Sequence, residues 1–197
     1  MTKKINFYFD FISPYSYLAH LKIKQIKNIK QKKEVNFNYK PILVGGLHNL
    51  QGITAPVFIK SKLKHMISDC DLIAKKNKSS FFWNSKFPIN SLNIMRGYLF
   101  IGDESKDLYL NKIFNAYWKE NLDTSDEEVL KTLLEKCKID SIKFFDGINN
   151  PKIKDELKTV TQEAHDKEIF GAPTFVVNNK IFWGQDRLEF ALDEYYR

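Results

Sequence analysis

Ile5-Asn6-Phe7-Tyr8-Phe9-Asp10-Phe11-Ile12-Ser13-Pro14-Tyr15-Ser16-Tyr17 is the stretch whose reading decides the fold, because its spacing changes within it. Ile5, Phe7, Phe9 and Phe11 alternate with Asn6, Tyr8 and Asp10, the period of a strand, which is expected to end near Asp10. Ser13-Pro14 then reads as an N-cap followed by proline at the first helical position. Leu18, Ala19, Ile23, Ile26 and Ile29 form one apolar stripe, so the spacing predicts a helix to about residue 32. Val35, Phe37 and Tyr39 alternate again, and Pro41 closes that second strand. A strand, a helix and a strand with so long a crossover predict parallel pairing.

Outward from this unit the character changes. Ile59, Leu63, Met66, Ile67, Cys70, Ile73 and Ala74 keep helical spacing. Leu92, Met95 and Leu99 begin another helix, and Leu110, Ile113, Phe114, Tyr117 and Trp118 form a third. Ser125 with Glu128 reads as a capping box ahead of Val129, Leu130, Leu133, Leu134 and Cys137. Strand signals return in Thr174-Phe175-Val176-Val177 and Lys180-Ile181-Phe182-Trp183, joined by an Asn178-Asn179 turn. Asp186 and Glu189 read as a second capping box opening a last helix through Leu188, Ala191, Leu192 and Tyr195. The two ends together read βαβ…ββα around a helical middle, the layout of an α/β thioredoxin-like fold with a large all-helical insertion. The expected division is residues 1–44 and 151–197 for the thioredoxin-like domain and 45–150 for the inserted helical domain.

Composition narrows the classes. The chain has 197 residues, 43% hydrophobic and 14% aromatic, enough for a packed core. No stretch approaches the ~18 consecutive apolar residues of a membrane-crossing helix. Met1-Thr2-Lys3-Lys4 is not followed by a continuous apolar run of the signal-peptide kind, so a soluble, cytoplasmic setting is expected. The formal net charge is +7, but the lysines are spread along the chain. The densest run, Lys22 to Lys33, shares a helix with an apolar stripe and reads as a solvated face rather than a nucleic-acid site. Cys70 and Cys137 both fall on apolar stripes and form no C-x-x-C, so neither a zinc site nor a disulfide framework follows.

Three short segments are candidates for chemistry. At a strand-to-helix turn of this kind ligands bind, and free N–H groups at the helix start favour an anion such as a thiolate. Ser13 and Ser16 occupy the two positions where a thioredoxin-like protein carries its cysteine pair, so this chain cannot cycle a disulfide there. A hydroxyl can still donate to a bound thiolate; a plain helix cap is the structural alternative for Ser13. In Gly171-Ala172-Pro173-Thr174-Phe175 a cis bond before Pro173 would leave the Ala172 N–H and C=O free for an extended peptide-like ligand, a trans loop proline being the alternative. Gln185 and Asp186 are candidates for a charged ligand end, with an ordinary N-cap as the other account of Asp186.

These segments, with Phe87-Pro88-Ile89-Asn90-Ser91-Leu92-Asn93-Ile94-Met95-Arg96, resemble the 2-hydroxychromene-2-carboxylate isomerase family, related to kappa-class glutathione transferases within the DsbA-like thioredoxin group. The resemblance spans the whole chain. It implies glutathione as the cofactor, with Ser13 catalytic against its sulfur, Ala172 and Pro173 on its cysteinyl backbone, Gln185 and Asp186 at its γ-glutamyl end, and Lys62 facing its glycyl carboxylate. It implies a second, small electrophilic aromatic substrate bordered by Tyr15, Ser16, His65 and Asn90, and a homodimer. Lys62 and His65 also read as ordinary surface residues of an amphipathic helix. Departures fall on the substrate side: Ile53 stands where such isomerases carry asparagine, His65 where they carry tyrosine, and Leu72 where arginine is expected. The implied activity is a glutathione-dependent isomerisation of an aromatic-degradation intermediate. The alternatives are a kappa-like transferase or peroxidase and a non-catalytic binding protein of the same fold; no metal, nucleotide cofactor, nucleic acid or membrane partner is indicated.

Overall fold

The structure, a computed structural model, describes residues 3–27 and 35–197. Four strands, β1 (Ile5–Phe9), β2 (Phe37–Pro41), β3 (Thr174–Val177) and β4 (Lys180–Trp183), form a sheet in the order β2-β1-β3-β4. β1 and β2 are parallel, in register at Phe7 and Tyr39, while β3 runs antiparallel to β1 and β4 antiparallel to β3. The connecting helix α1 is seen as Pro14–Lys27; its expected continuation to residue 32, with Ile29, lies outside the described residues, as does most of the lysine run beyond it. The hairpin turn falls on Asn178 and Asn179, both with positive φ, the backbone a tight two-residue turn requires.

Between the sheet halves come α2 (Val44–Leu50), α3 (Lys60–Lys76), α4 (Leu92–Phe100), α5 (Asp103–Trp118), α6 (Glu127–Lys136), α7 (Ser141–Asn149) and α8 (Pro151–Asp166); α9 (Leu188–Tyr196) closes the chain. The helix α2 is one that spacing does not announce, since Gly45-Gly46 reads as loop; its Leu47 is fully buried and fixes it. Alternation along β1 places Ile5, Phe7 and Phe9 on one face, where they join Phe114, Tyr117 and Trp118 of α5 in a continuous core. Tyr8 points to the other face, into a smaller cluster with Ile42, Leu47, Ala164 and Ile169. Both faces of β1 are therefore covered: of its alternates, Tyr8 is buried and Asn6 half-buried. Each fully buried Phe or Leu contributes about 1.5–3 kcal/mol, so this aromatic layer supplies much of what holds the sheet to the helices. His20 of α1 sits inside it, stacked on Phe114 at 5.2 Å and bonded through its two ring nitrogens to Tyr39 and Asn111, each at 3.0 Å. Burial pushes its pKa down to about 4, so it is a neutral core histidine at physiological pH.

Two expected caps are placed differently. Asp126, not Ser125, caps α6: its Oδ1 accepts from Glu128 N at 2.9 Å and Val129 N at 3.0 Å, while the Ser125 hydroxyl turns back to Asp123 Oδ1 at 2.5 Å. A carboxylate one residue closer to the helix outcompetes the hydroxyl for the same N–H groups and adds a favourable charge at the positive end. Asp126→Ala is expected to cost about 1 kcal/mol and lower Tm by roughly 2–4 °C, with Ser125→Ala close to neutral; thermal melts of both variants check the assignment. The second expected box is absent: Gln185–Arg187 form a 3-10 turn, and α9 starts at Leu188 with Arg187 before it and no side-chain cap. Cys70 and Cys137 are both free and buried, and burial pushes the Cys70 thiol up to about 12, so neither offers a nucleophile. Among the described residues no helix is long and apolar enough to cross a membrane.

Candidate active site

The end of β1 turns through Asp10–Ser13 into α1. Ser13 N donates to Asp10 O at 3.1 Å, and Tyr17 N donates to Ser13 O at 3.2 Å, which starts the helix. The Ser13 hydroxyl does two things at once. Its oxygen accepts from Ser16 N at 3.2 Å, a true cap, and its proton goes to Ala172 O at 2.9 Å, 159 residues away. Ser13 is 7% exposed, so the hydroxyl lies at the floor of the surface rather than on it. A hydroxyl that accepts from an amide is polarised into a stronger donor.

The Ala172–Pro173 bond is cis, and so is Phe87–Pro88. Thr174 Oγ1 donates to Gly171 O at 2.7 Å and holds the turn from the sheet side. The Ala172 carbonyl, expected to be free, instead accepts the Ser13 hydroxyl; among the described residues its N–H has no protein partner. Gly184 N donates to Pro173 O at 3.0 Å, with Gly184 at φ 112°, a conformation that favours glycine. One bond thus joins the first segment to the second, and another joins the second to the third. Tertiary folding assembles all three.

Beside Gly184 a cleft of about 410 Å³ opens between α1, the end of α3 and the start of α9. It carries both signs of charge, Lys22 and Lys76 against Asp186 and Glu189, with Gln185 and Ile73 between them. Lys22 Nζ donates to Gln185 Oε1 at 2.6 Å and lies 3.4 Å from Gln185 O, so Gln185 is held and buried while Asp186 is exposed. Burial lowers the Lys22 pKa, and Glu189 and Asp186 pull it back up.

The remaining candidates are more scattered. The Tyr15 hydroxyl donates to Asp69 Oδ2 of α3 at 2.8 Å, and burial, then Asp69, raise its pKa well above the ordinary phenol, so it stays protonated. Ser16 is fully buried, its hydroxyl without a partner among the described residues, and it presents no surface to a substrate in this structure. Lys62 and His65 are exposed on α3, and no hydrogen bond or ion pair ties either to Ser13 or Ala172. Asn90 is exposed, with Oδ1 accepting from Leu92 N at 3.0 Å at the start of α4.

Several residues around the site carry no site role in the sequence reading. Trp118 of α5, fully buried, donates Nε1–H to Phe11 O at 2.8 Å and pins the Ser13 turn from the helical side. Asp10 lies beneath the same turn at 1% exposure. Phe170 and Trp183 form an exposed aromatic pair, ring centroids 4.9 Å apart, flanking the Gly171 turn. The one available signal was Asp10 itself, a carboxylate in an otherwise apolar strand ending.

A family model for the DSBA-like thioredoxin domain matches residues 4–196. The chain is 28% identical over 192 residues to a 2-hydroxychromene-2-carboxylate isomerase of Sphingobium xenophagum, covering 96% of each. It is 22% identical over 204 residues to glutathione S-transferase kappa 1 of Homo sapiens, covering 96% of this chain and 89% of that one. Among solved structures, a 2-hydroxychromene-2-carboxylate isomerase superposes with a TM-score of 0.86 at 24% identity, over 96% of this chain and 92% of that one.

Proposed function

We propose, for a chain that belongs to the DsbA-like thioredoxin family, that it is a glutathione-dependent isomerase of the 2-hydroxychromene-2-carboxylate type. The observation that carries this reading is the Ser13 hydroxyl, capping α1 and bonded at 2.9 Å to the carbonyl that precedes cis-Pro173, in a turn that holds no cysteine. The residues fit a γ-glutamyl tripeptide thiol on three counts. Among the described residues the Ala172 N–H lacks a protein partner, the Ser13 proton can turn from Ala172 O toward a sulfur, and the cleft beyond Gly184 matches a zwitterionic end with its lysines and carboxylates.

Glutathione held by Ser13, Ala172, Gln185, Asp186 and Lys62 would supply a nucleophilic sulfur for reversible thiol addition. The chain's part is to ionise and aim it. Lowering a thiol from ~8.5 by about two units takes about 2.7 kcal/mol. One charge-assisted hydrogen bond, ~1.5–3 kcal/mol, plus a helix N-terminus, ~0.3–1 kcal/mol, supplies that from Ser13 and the first turn of α1. Ala172, with its N–H and C=O, holds an extended backbone; Gln185 and Asp186 take the γ-glutamyl end; Lys62 takes the glycyl carboxylate. The Phe170–Trp183 pair beside the turn offers an apolar platform, which suits an aromatic electrophile.

Titration with reduced glutathione is expected to give saturable binding and an ultraviolet thiolate band at neutral pH that S-methylglutathione does not produce. No binding at millimolar glutathione would remove the proposal. A second reading, a kappa-like transferase or peroxidase, is favoured by the full-length likeness to the human kappa enzyme. Mass spectrometry of products separates the two, since the isomerase returns glutathione unmodified and the transferase or peroxidase does not.

A further inference from the structure

Asp10 is a buried carboxylate that the reading above leaves without a role. It stands at the end of β1, three residues before Ser13, and is 1% exposed. Its Oδ1 accepts from Ile12 N at 3.1 Å, inside the turn that carries Ser13. Its Oδ2 accepts from Val44 N at 3.0 Å, the first residue of α2. The Ser91 side chain, from the residue before α4, lies near enough to favour its ionised form. Asp10 O meanwhile receives Ser13 N. One side chain thus ties the Ser13 turn to the start of α2, with Ser91 beside it, and no cation pairs with it among the described residues.

A neutral acceptor would satisfy such N–H groups at lower desolvation cost, so an uncompensated buried carboxylate calls for a reason. We infer that Asp10 is a positioning residue whose ionised carboxylate clamps the Ser13 turn to the start of α2, and that proton uptake by Asp10 loosens the clamp. Both carboxylate oxygens act as acceptors while the group is ionised. A proton on either removes the negative charge and makes that oxygen the poorer acceptor, so the bond to Ile12 N or Val44 N weakens. Burial raises the Asp10 pKa from 3.8 to about 6, against the lowering effect of its three hydrogen bonds, so the release falls within reach of mild acid. Tyr117 of α5 feels the Asp10 charge: its pKa is raised by burial first and by Asp123 and Asp10 after it, so it stays protonated across this range. α2 and α4 also carry His48 and Arg96, each at least a turn beyond the contacting residues; burial lowers both pKa values, and Arg96 stays charged throughout.

The sign for stability is opposite to that of a salt-bridged aspartate. With the folded pKa above the unfolded value, the native state binds the extra proton between pH 4 and 6. Stability from this group is complete below the unfolded value and is lost as pH rises through about 6. The ionised clamp at neutral pH is therefore held against stability, which a merely structural bond would not be.

The inference rests on the glutathione reading only through its second measurement. The first needs no ligand: in ¹⁵N-labelled wild-type protein, the Ile12, Ser13 and Val44 amide resonances are expected to titrate together with a midpoint near pH 6. The second compares the thiolate band of the glutathione complex in wild type and Asp10→Asn. Two protonations, thiol and clamp, are expected to extinguish it in wild type and one in the variant. At one pH unit below the Asp10 midpoint the variant then keeps about tenfold more of its neutral-pH signal. In parallel, the stability of wild type relative to Asp10→Asn is expected to rise as pH falls from 7 to 4. Amides that do not move near pH 6, or an Asp10→Asn variant with the wild-type acid limb, would overturn the inference. Amides that titrate in a protein that binds no glutathione would overturn the proposed function and leave the clamp standing.

Discussion

Ser13→Ala is expected to abolish the neutral-pH thiolate band of bound glutathione and to lower kcat/KM by on the order of 10²-fold, while leaving the protein folded. The structural loss is limited. The variant gives up the cap on Ser16 N and the donor to Ala172 O, a cost of about 1 kcal/mol for the cap. The functional loss is larger, because the hydroxyl is aimed from the helix start at the cis-Pro173 turn. Without it the helix dipole alone remains, worth ~0.3–1 kcal/mol, too little to hold a thiol two units below its ordinary value. A pH titration of the thiolate absorbance, with steady-state kinetics on a chromene carboxylate, reads both quantities. An unchanged thiolate fraction in the variant would make Ser13 a helix cap and nothing more.

The second large effect is on stability. Trp118 is fully buried against Phe81, Trp83, Phe87 and Tyr117, with ring centroids between 4.8 and 5.8 Å. Trp118→Ala is expected to cost about 3–5 kcal/mol, against a total of about 5–15 kcal/mol for a typical domain, and to leave the protein near unfolding at 37 °C. Trp118→Phe keeps most of the packing but removes the Nε1–H bond to Phe11 O, an expected loss of about 1–3 kcal/mol from an unsatisfied buried carbonyl. Because Phe11 lies two residues before Ser13, the Phe variant is also expected to lose glutathione affinity beyond what its stability explains. Urea denaturation of the three proteins, with glutathione titration of the two stable ones, separates packing from positioning. A Phe variant with wild-type affinity would confine Trp118 to the core.

Much of this molecule is written locally. The change from period two to helical spacing in residues 5–17, the Asn178-Asn179 turn and the alternation on either side of it are all short-range signals. They follow from backbone geometry that neighbouring residues alone impose, and β1, α1, β3 and β4 follow them. Ser13, Ala172-Pro173 and Gly184-Gln185-Asp186 were legible for the same reason, as motifs at element ends. Local reading failed where two residues compete for one role. Ser125 and Asp126 both suit a cap, and only the path of the chain into α6 gives the N–H groups to Asp126.

What the sequence by itself determined is therefore the four strands, the helices with a clear apolar stripe, the missing cysteine pair and three candidate segments, while α2, α7 and α8 went unread. Only the tertiary structure decided which faces are covered. Asp10 alternates as though it faced water, yet α2 and α4 bury it, and burial is what makes its charge costly and its hydrogen bonds consequential. Trp118 reads as one more apolar residue on a stripe until the fold carries it 107 residues back to Phe11. Lys22 reads as a solvated lysine until the start of α9 brings Gln185 against it. In each case the deciding quantity is the environment supplied by a distant part of the chain, and spacing within one element carries no information about that environment.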